Sequence, residues 1–244
     1  MTENIKISVN DVWIRFNLAS ERVDNIKEYV IKMLKRQLMF QEFMALKGIS
    51  FEVKAGESWG FVGTNGSGKS TLLKTISGIL KPYKGSVQVN GTISPLIELG
   101  AGFDGNLTAR ENIFLNGAVL GYSEKFLKEK FDEIVDFAEL RDFLDVPIKN
   151  FSSGMAARLG FAIATTVKPD ILICDEVLAV GDFKFQEKCE QRMNELLSGG
   201  TTLLFVSHNI EQVKRMCQKA IWIDHGEMKM IGSAEEVCNV YCNS

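Results

Sequence analysis

The run Gly63-Thr64-Asn65-Gly66-Ser67-Gly68-Lys69-Ser70-Thr71 constrains this chain more than any other stretch. It satisfies the pattern G-x-x-x-x-G-K-S/T in full. Its flanks supply the context that pattern needs: Ser58-Trp59-Gly60-Phe61-Val62 reads as a short buried strand, and Leu72-Leu73-Lys74-Thr75-Ile76-Ser77 as the first turns of a helix. Glycines let such a loop turn tightly with positive φ, so that successive backbone N–H groups point inward at phosphate oxygens. The helix that follows adds its positive N-terminal end, where the first N–H groups lack partners. In that geometry the Lys69 ammonium reaches the β- and γ-phosphates of a nucleoside triphosphate and the Ser70 hydroxyl ligates Mg²⁺. A glycine-rich turn between a strand and a helix is the plainer reading, and the flanking pattern argues against it.

Composition sets the outer limits. The 244 residues suit one large domain, 1–244, or a domain with a subdomain, and a hydrophobic content of 45% is ample for a core. A net charge of −3 gives no reason to expect nucleic acid. The cysteines (Cys174, Cys189, Cys217, Cys238 and Cys242) form no C-x-x-C pair, and Cys174 sits inside an apolar run as a small core residue. Cys238 and Cys242 share a face if that end is helical, but no His accompanies them as a metal partner. A reduced cytosolic protein fits best. The first residues have no signal-peptide apolar core, and no apolar run approaches the roughly 18 residues of a membrane helix. A membrane role therefore calls for a partner.

Along the chain, Ile5 to Phe16 alternates as an edge strand through Ile7, Val9, Val12 and Ile14. From Ser20 to about Phe43 the apolar positions Val23, Ile26, Val30, Leu34 and Leu38 follow helical spacing, so a helical insertion is expected over about 20–43. Its second half is basic, with Lys27, Lys32, Lys35 and Arg36. That pattern suits a solvated helix face or, equally, a docking or membrane-surface helix. Ala45 to Val53 resumes as a strand. Thr108 and Glu111 form a capping box for a helix, and an amphipathic helix is expected between Ser123 and Leu140. The block from about 96 to 160 is helix-rich and looks inserted into an α/β core. Buried strands at Asp170 to Asp175 and at Thr202 to Ser207 then alternate with helices, and a hairpin turns at His225-Gly226. Alternating βα units with apolar strands argue for a mainly parallel sheet covered on both faces.

Three further pieces narrow the chemistry. The strand Ile171-Leu172-Ile173-Cys174 ends in Asp175-Glu176, projecting two carboxylates toward the crevice at the strands' carboxyl end. Asp175 suits a Mg²⁺ shell of hard oxygens and retained waters, and Glu176 suits polarising an attacking water. Acidic residues also commonly cap strand ends. His208, after the next buried strand, is either a loop residue or the contact that holds the water near the γ-phosphate; His225 reads as a turn residue. Phe151-Ser152-Ser153-Gly154-Met155 looks like a second phosphate-contacting helix start, which is weak alone and strong in this order.

Together these motifs resemble an ATP-binding-cassette nucleotide-binding domain over essentially the whole chain. The resemblance implies a phosphate-loop fold with a mixed, mainly parallel α/β core, an N-terminal antiparallel β subdomain and an inserted α-helical subdomain. Ser152 and Gly154 match the family's signature, while Phe151, Ser153 and Met155 depart from the commoner Leu-Ser-Gly-Gly-Gln. Asp182 matches the aspartate loop at the dimer interface, and Phe16 the aromatic that stacks on adenine. The Gln expected near 98 is absent, and Glu98 or a neighbour takes its place as a metal contact. The family's homodimer sandwiches two ATP molecules with Mg²⁺, so Ser152 and Gly154 would serve the partner's ATP.

Ser152-Ser153-Gly154-Met155, Ile97 to Phe103 and Val177 to Asp182 resemble the ATPases that export lipid-linked polysaccharides such as O-antigen and teichoic acid. That likeness implies a short form lacking a carbohydrate-binding domain, two copies of an integral membrane permease as partners, and a peripheral position on the cytoplasmic face of a bacterial membrane. Another exporter class (lipid or drug) is the alternative. A cassette ATPase acting on nucleic acid or ribosomes would carry tandem cassettes, coiled coils or zinc modules. A small-molecule kinase would explain the loop but not the signature, Asp175-Glu176 and His208 together.

Overall fold

A computed structural model describes residues 4–19, 40–96, 100, 102–175 and 181–244. Its centre is a six-stranded sheet built from β3 (Ser58–Val62), β5 (Ile93–Leu96), β6 (Ile171–Asp175), β7 (Thr202–Val206), β8 (Lys219–Asp224) and β9 (Glu227–Ser233), in the order β5-β6-β7-β3-β8-β9. All neighbours are parallel except β8 and β9, which form the C-terminal hairpin. A second, antiparallel sheet has the order β2-β1-β4, from β1 (Ile5–Ala19), β2 (Phe40–Lys54) and β4 (Lys84–Val89).

The central strands are apolar throughout because each face meets a different layer. On one face Ile171 and Ile173, Leu204 and Val206, and Ile221 and Ile223 pack with Phe61 against the antiparallel sheet and α1 (Lys69–Ile76). On the other, Leu172, Cys174, Leu203, Phe205 and Ala220 pack under α2 (Ala109–Val119), α3 (Glu124–Ala138), α4 (Ser153–Ala164), α5 (Phe183–Ser198), α6 (Ile210–Met216) and α7 (Ala234–Cys242). Period-2 alternation thus divides each strand between two cores. Gly60 lets α6 approach closely, since a Cβ there would lie 2.4 Å from Val213 Cγ1. Burial also holds the Cys174 and Cys217 thiols far above their ordinary pKa and pushes Cys189 up to about 12.

Helices α2, α3 and α4 all fall between β5 and β6 in the chain. α2 begins with the expected capping box: Glu111 N–H donates to Thr108 Oγ1 (3.3 Å), and Thr108 N–H donates to Glu111 Oε2 (2.8 Å). Between α2 and α3 runs an apolar groove of about 400 Å³, lined by Phe114, Leu115, Ala118, Tyr122, Glu124 and Leu127.

Two expectations need correction. β1 is the middle strand of its sheet, paired to β2 on one side and β4 on the other, rather than an edge. Alternation of Ile7, Val9, Val12 and Ile14 reports one buried face and is blind to the number of neighbours. The helical insertion expected over 20–43 lies largely outside the described residues, and Phe40 to Phe43 belong to β2. No helix among the described residues is long and apolar enough to cross a membrane.

Candidate nucleotide site

β3 ends at Val62 in the middle of the sheet, with β7 on one side and β8 on the other. Parallel register sets Phe61 beside Val206 and Val206 beside Asp175, so the carboxyl ends of β3, β7 and β6 open on one edge. The phosphate loop, Ser207-His208 and Asp175 leave from that edge, where ligands of open α/β sheets bind.

The loop's shape is fixed from outside by sterics. Gly63 (φ +146°) could not carry a side chain, because a Cβ would lie 2.1 Å from Ile223 O. Gly68 (φ +114°) is pressed against β2, with Ala45 O only 2.8 Å from where its Cβ would be. Gly66 (φ +78°) has open space where a side chain would project. The hairpin turn of β8 and β9 completes the seat. His225 (φ +46°) and Gly226 (φ +79°) are both left-handed, as a two-residue type I′ turn requires. Gly226 N–H donates to Ser67 O (2.8 Å), and Gly226 O accepts from Lys47 N–H (2.8 Å). One glycine therefore joins the phosphate loop to β2.

Inside the loop, Lys69 Nζ donates to Gly63 O (2.8 Å) and Thr64 O (2.9 Å). Ser67 is 2% exposed, and its hydroxyl has no hydrogen-bond partner among the described residues. An orphaned buried hydroxyl, a buried ammonium and a glycine cradle fit a phosphate ligand. Ser70 and Asp175 supply the hard oxygen donors that Mg²⁺ prefers. The cavity itself has a volume of about 340 Å³ and collects Phe16, Asn65, Gly66, Gly68, Lys69, Ser70, Thr71 and His208, together with Phe43 and Ala45. Gly63, Thr64 and Ser67 lie off its wall; Gly63 and Ser67 are buried, Gly63 against Ile223 of β8, while Thr64 is exposed. Glu176 and Glu98 fall outside the described residues.

Ser152, Gly154 and Asp182 line a different cavity of about 750 Å³, with Ser153, Met155, Ala157, Arg158 and Gly181. Ser152 N-caps α4 by accepting from Met155 N–H (3.2 Å), which leaves its own proton free to donate outward. Asp182 N-caps α5 through Phe185 N–H (3.0 Å) and receives Arg158 Nη2 at 2.7 Å. The Phe185 amide and Arg158 hold its carboxyl below the usual carboxylate range. Arg158 also reaches Glu139 (3.3 Å), the left-handed C-cap of α3, and its guanidinium lies 4.7 Å from the centre of the Phe185 ring. Lys188 extends the network by donating to Glu139 (3.1 Å) and to Phe137 O (2.9 Å).

Sequence reasoning missed Phe43, Ala45, Arg158 and Gly226. Gly226 carried a signal in the His-Gly turn, but its contact with the phosphate loop is a matter of tertiary placement.

The architecture is that of a phosphate-loop cassette. A solved dimeric ATP-binding cassette in a post-hydrolysis state, bound to ADP and phosphate, superposes with a TM-score of 0.71 at 22% identity, covering 93% of this chain and 98% of that one. The chain belongs to the ABC transporter family, whose model matches residues 46–179. It is 43% identical over 237 residues to the O-antigen export system ATP-binding protein RfbB of Klebsiella pneumoniae, covering 96% of each chain. It is 44% identical over 241 residues to the teichoic acids export ATP-binding protein TagH of Listeria monocytogenes, covering 99% of this chain and 71% of that one. As an ABC ATPase it binds nucleotide and hydrolyses ATP.

Proposed function

We propose that this chain powers export of a lipid-linked polysaccharide or teichoic-acid-type polymer, working as a homodimer on two copies of a separate membrane permease. It would sit peripherally on the cytoplasmic face of a bacterial membrane. The observation that carries this reading is the match to polymer-export ATPases over 96–99% of the chain, supported by a cavity that gathers Phe16, phosphate-loop residues and His208.

In this reading Phe16 stacks on adenine, and the N–H groups from Gly63 through Thr71 cradle the phosphates. Lys69 exchanges its bonds to Gly63 O and Thr64 O for the β- and γ-phosphate oxygens. Ser70, Asp175 and Glu98 would hold Mg²⁺, which would supply charge neutralisation for phosphoryl transfer. Glu176 polarises the attacking water and His208 keeps it in line with the γ-phosphate. Ser152, Gly154 and Asp182 act on the ATP of the second copy. The support for this is that their cavity shares no lining residue with the phosphate-loop cavity of the same chain. Closure of two chains around two nucleotides would then move α2 to α4. The apolar groove between α2 and α3 offers a permease helix its seat.

The test uses a tagged Glu176→Gln chain held with ATP and recovered from solubilised membranes. Co-recovery of a permease with a polyprenyl-linked glycan is the expected result. Recovery of ribosomes or nucleic acid instead, or of a permease carrying lipid or drug alone, would overturn the polymer-export reading and leave the ATPase standing.

A further inference from the structure

The cavity has an aromatic wall twice as wide as a single stacking residue provides. Phe16 and Phe43 are direct cross-strand partners in the β1–β2 ladder, and both face the cavity that Gly66, Lys69 and Thr71 line. Cross-strand partners on one face hold their Cβ atoms about 5 Å apart, so the two side chains stand next to each other. They remain 36% and 47% exposed, which leaves open apolar surface beside the phosphate loop.

A bulge puts Phe43 there. Ile14 pairs with Leu46, but Arg15 pairs with Met44, so Ala45 is an extra residue on β2. In an unbroken ladder side chains alternate strictly, and Met44 would share the face of Leu46. The extra residue shifts the alternation by one, so Phe43 comes to the face of Phe16 instead. The bulge is held from below: Ala45 O is the atom that would meet a Cβ on Gly68 at 2.8 Å and on Gly226 at 2.6 Å. The phosphate loop and the platform are thus set against each other by the same carbonyl.

Resting on the reading of this cavity as the ATP site, we propose that Phe43 is a second base-stacking residue, and that Phe16 and Phe43 together select purine over pyrimidine nucleotides. A purine's two fused rings cover both phenyl groups, whereas a pyrimidine covers one. Phe16, Phe43 and Ala45 present no side-chain donor or acceptor to a base edge, so adenine and guanine are bound alike.

Calorimetric titration of the full-length chain with Mg²⁺ and ATP, GTP or CTP tests this directly. Phe43→Ala is expected to weaken ATP and GTP roughly tenfold, the loss typical of one aromatic stacking partner, while changing CTP little. Phe43→Trp restores the purine preference. Phe43→Leu, which keeps apolar bulk without a flat face, behaves like Phe43→Ala and guards against a folding artefact. Unchanged ATP affinity in Phe43→Ala, or equal weakening of ATP and CTP, overturns the proposal while the nucleotide reading stands. A wild-type chain that binds no ATP overturns both.

Discussion

The phosphate-loop cavity and the Ser152–Asp182 cavity are held together in opposite ways. The first is a mould of backbone. Gly63 is fixed by Ile223 O, Gly68 by Ala45 O, and Ser67 O by the Gly226 amide. The second is a joint of side chains. Arg158 reaches from α4 to Asp182 at the head of α5 and to Glu139 at the foot of α3, and Lys188 closes the set. Asp182 and Glu139 are more than half exposed in that network, where ion pairs contribute little each. A mould of close backbone contacts resists deformation, while a set of weak exposed pairs can be remade at small cost. Under the proposed function, the contrast suits one site that grips a nucleotide and another that meets and leaves a second copy.

The sharpest way to break this comparison is at Lys69. Lys69→Ala should lower ATP affinity roughly a hundredfold or more in a binding titration, because the proposed charge-assisted contacts to phosphate would be lost. Tight binding by that variant would remove the mould's central member. A smaller effect is expected from Gly226→Ala, which places a Cβ in left-handed backbone and 2.6 Å from Ala45 O. Chemical denaturation should show a loss of about 2 kcal/mol, with weaker ATP binding alongside it. Loss of stability without loss of affinity would mean that the hairpin turn supports the sheet and not the loop.

The joint calls for a different readout. If that surface serves only the paired assembly, as proposed, Arg158→Ala should leave ATP binding by the single chain unchanged and reduce steady-state hydrolysis roughly tenfold. Equal losses in both would show Arg158 to be scaffolding. Asp182→Asn is expected to have the smallest effect, because the amide oxygen still caps α5. Its sign with pH is defined. A carboxyl held below its usual pKa adds stability that is fully present above the unfolded value of about 3.9 and is lost as pH falls through the folded value. Thermal unfolding of wild type and variant should therefore differ near neutrality and converge in strong acid.

The mould was legible in the sequence because its pattern is local. Lys69 and Ser70 follow the glycines directly, and the strand before them is short, mostly apolar and buried at every position. The helical middle block was legible through Thr108, Glu111 and Ser123, which cap their helices with side chains close in sequence. What stayed hidden depends on residues far apart in the chain. Nothing in the sequence around Arg158 marks it, and its partners Glu139 and Asp182 lie 19 and 24 residues away. Phe43 was assigned to a helix, since apolar spacing across 20–43 suits one and nothing local announces a bulge at Ala45. β1 looked like an edge because Val87 and Val89, which pair with Val9 and Ile7, lie some eighty residues downstream.

The bond from Gly226 to Ser67 also orders events during synthesis. The loop emerges from the ribosome early, but β7, β8 and the hairpin turn that seat it follow far later in the chain. At ordinary elongation rates roughly 10–30 s separate the loop from its final contact. For most of that interval β3 lacks both of its neighbours, so a nascent chain of this protein carries an open, mostly apolar strand and an unfinished loop seat. Capacity to bind nucleotide would thus arrive late, once β7, β8 and the hairpin turn have joined β3.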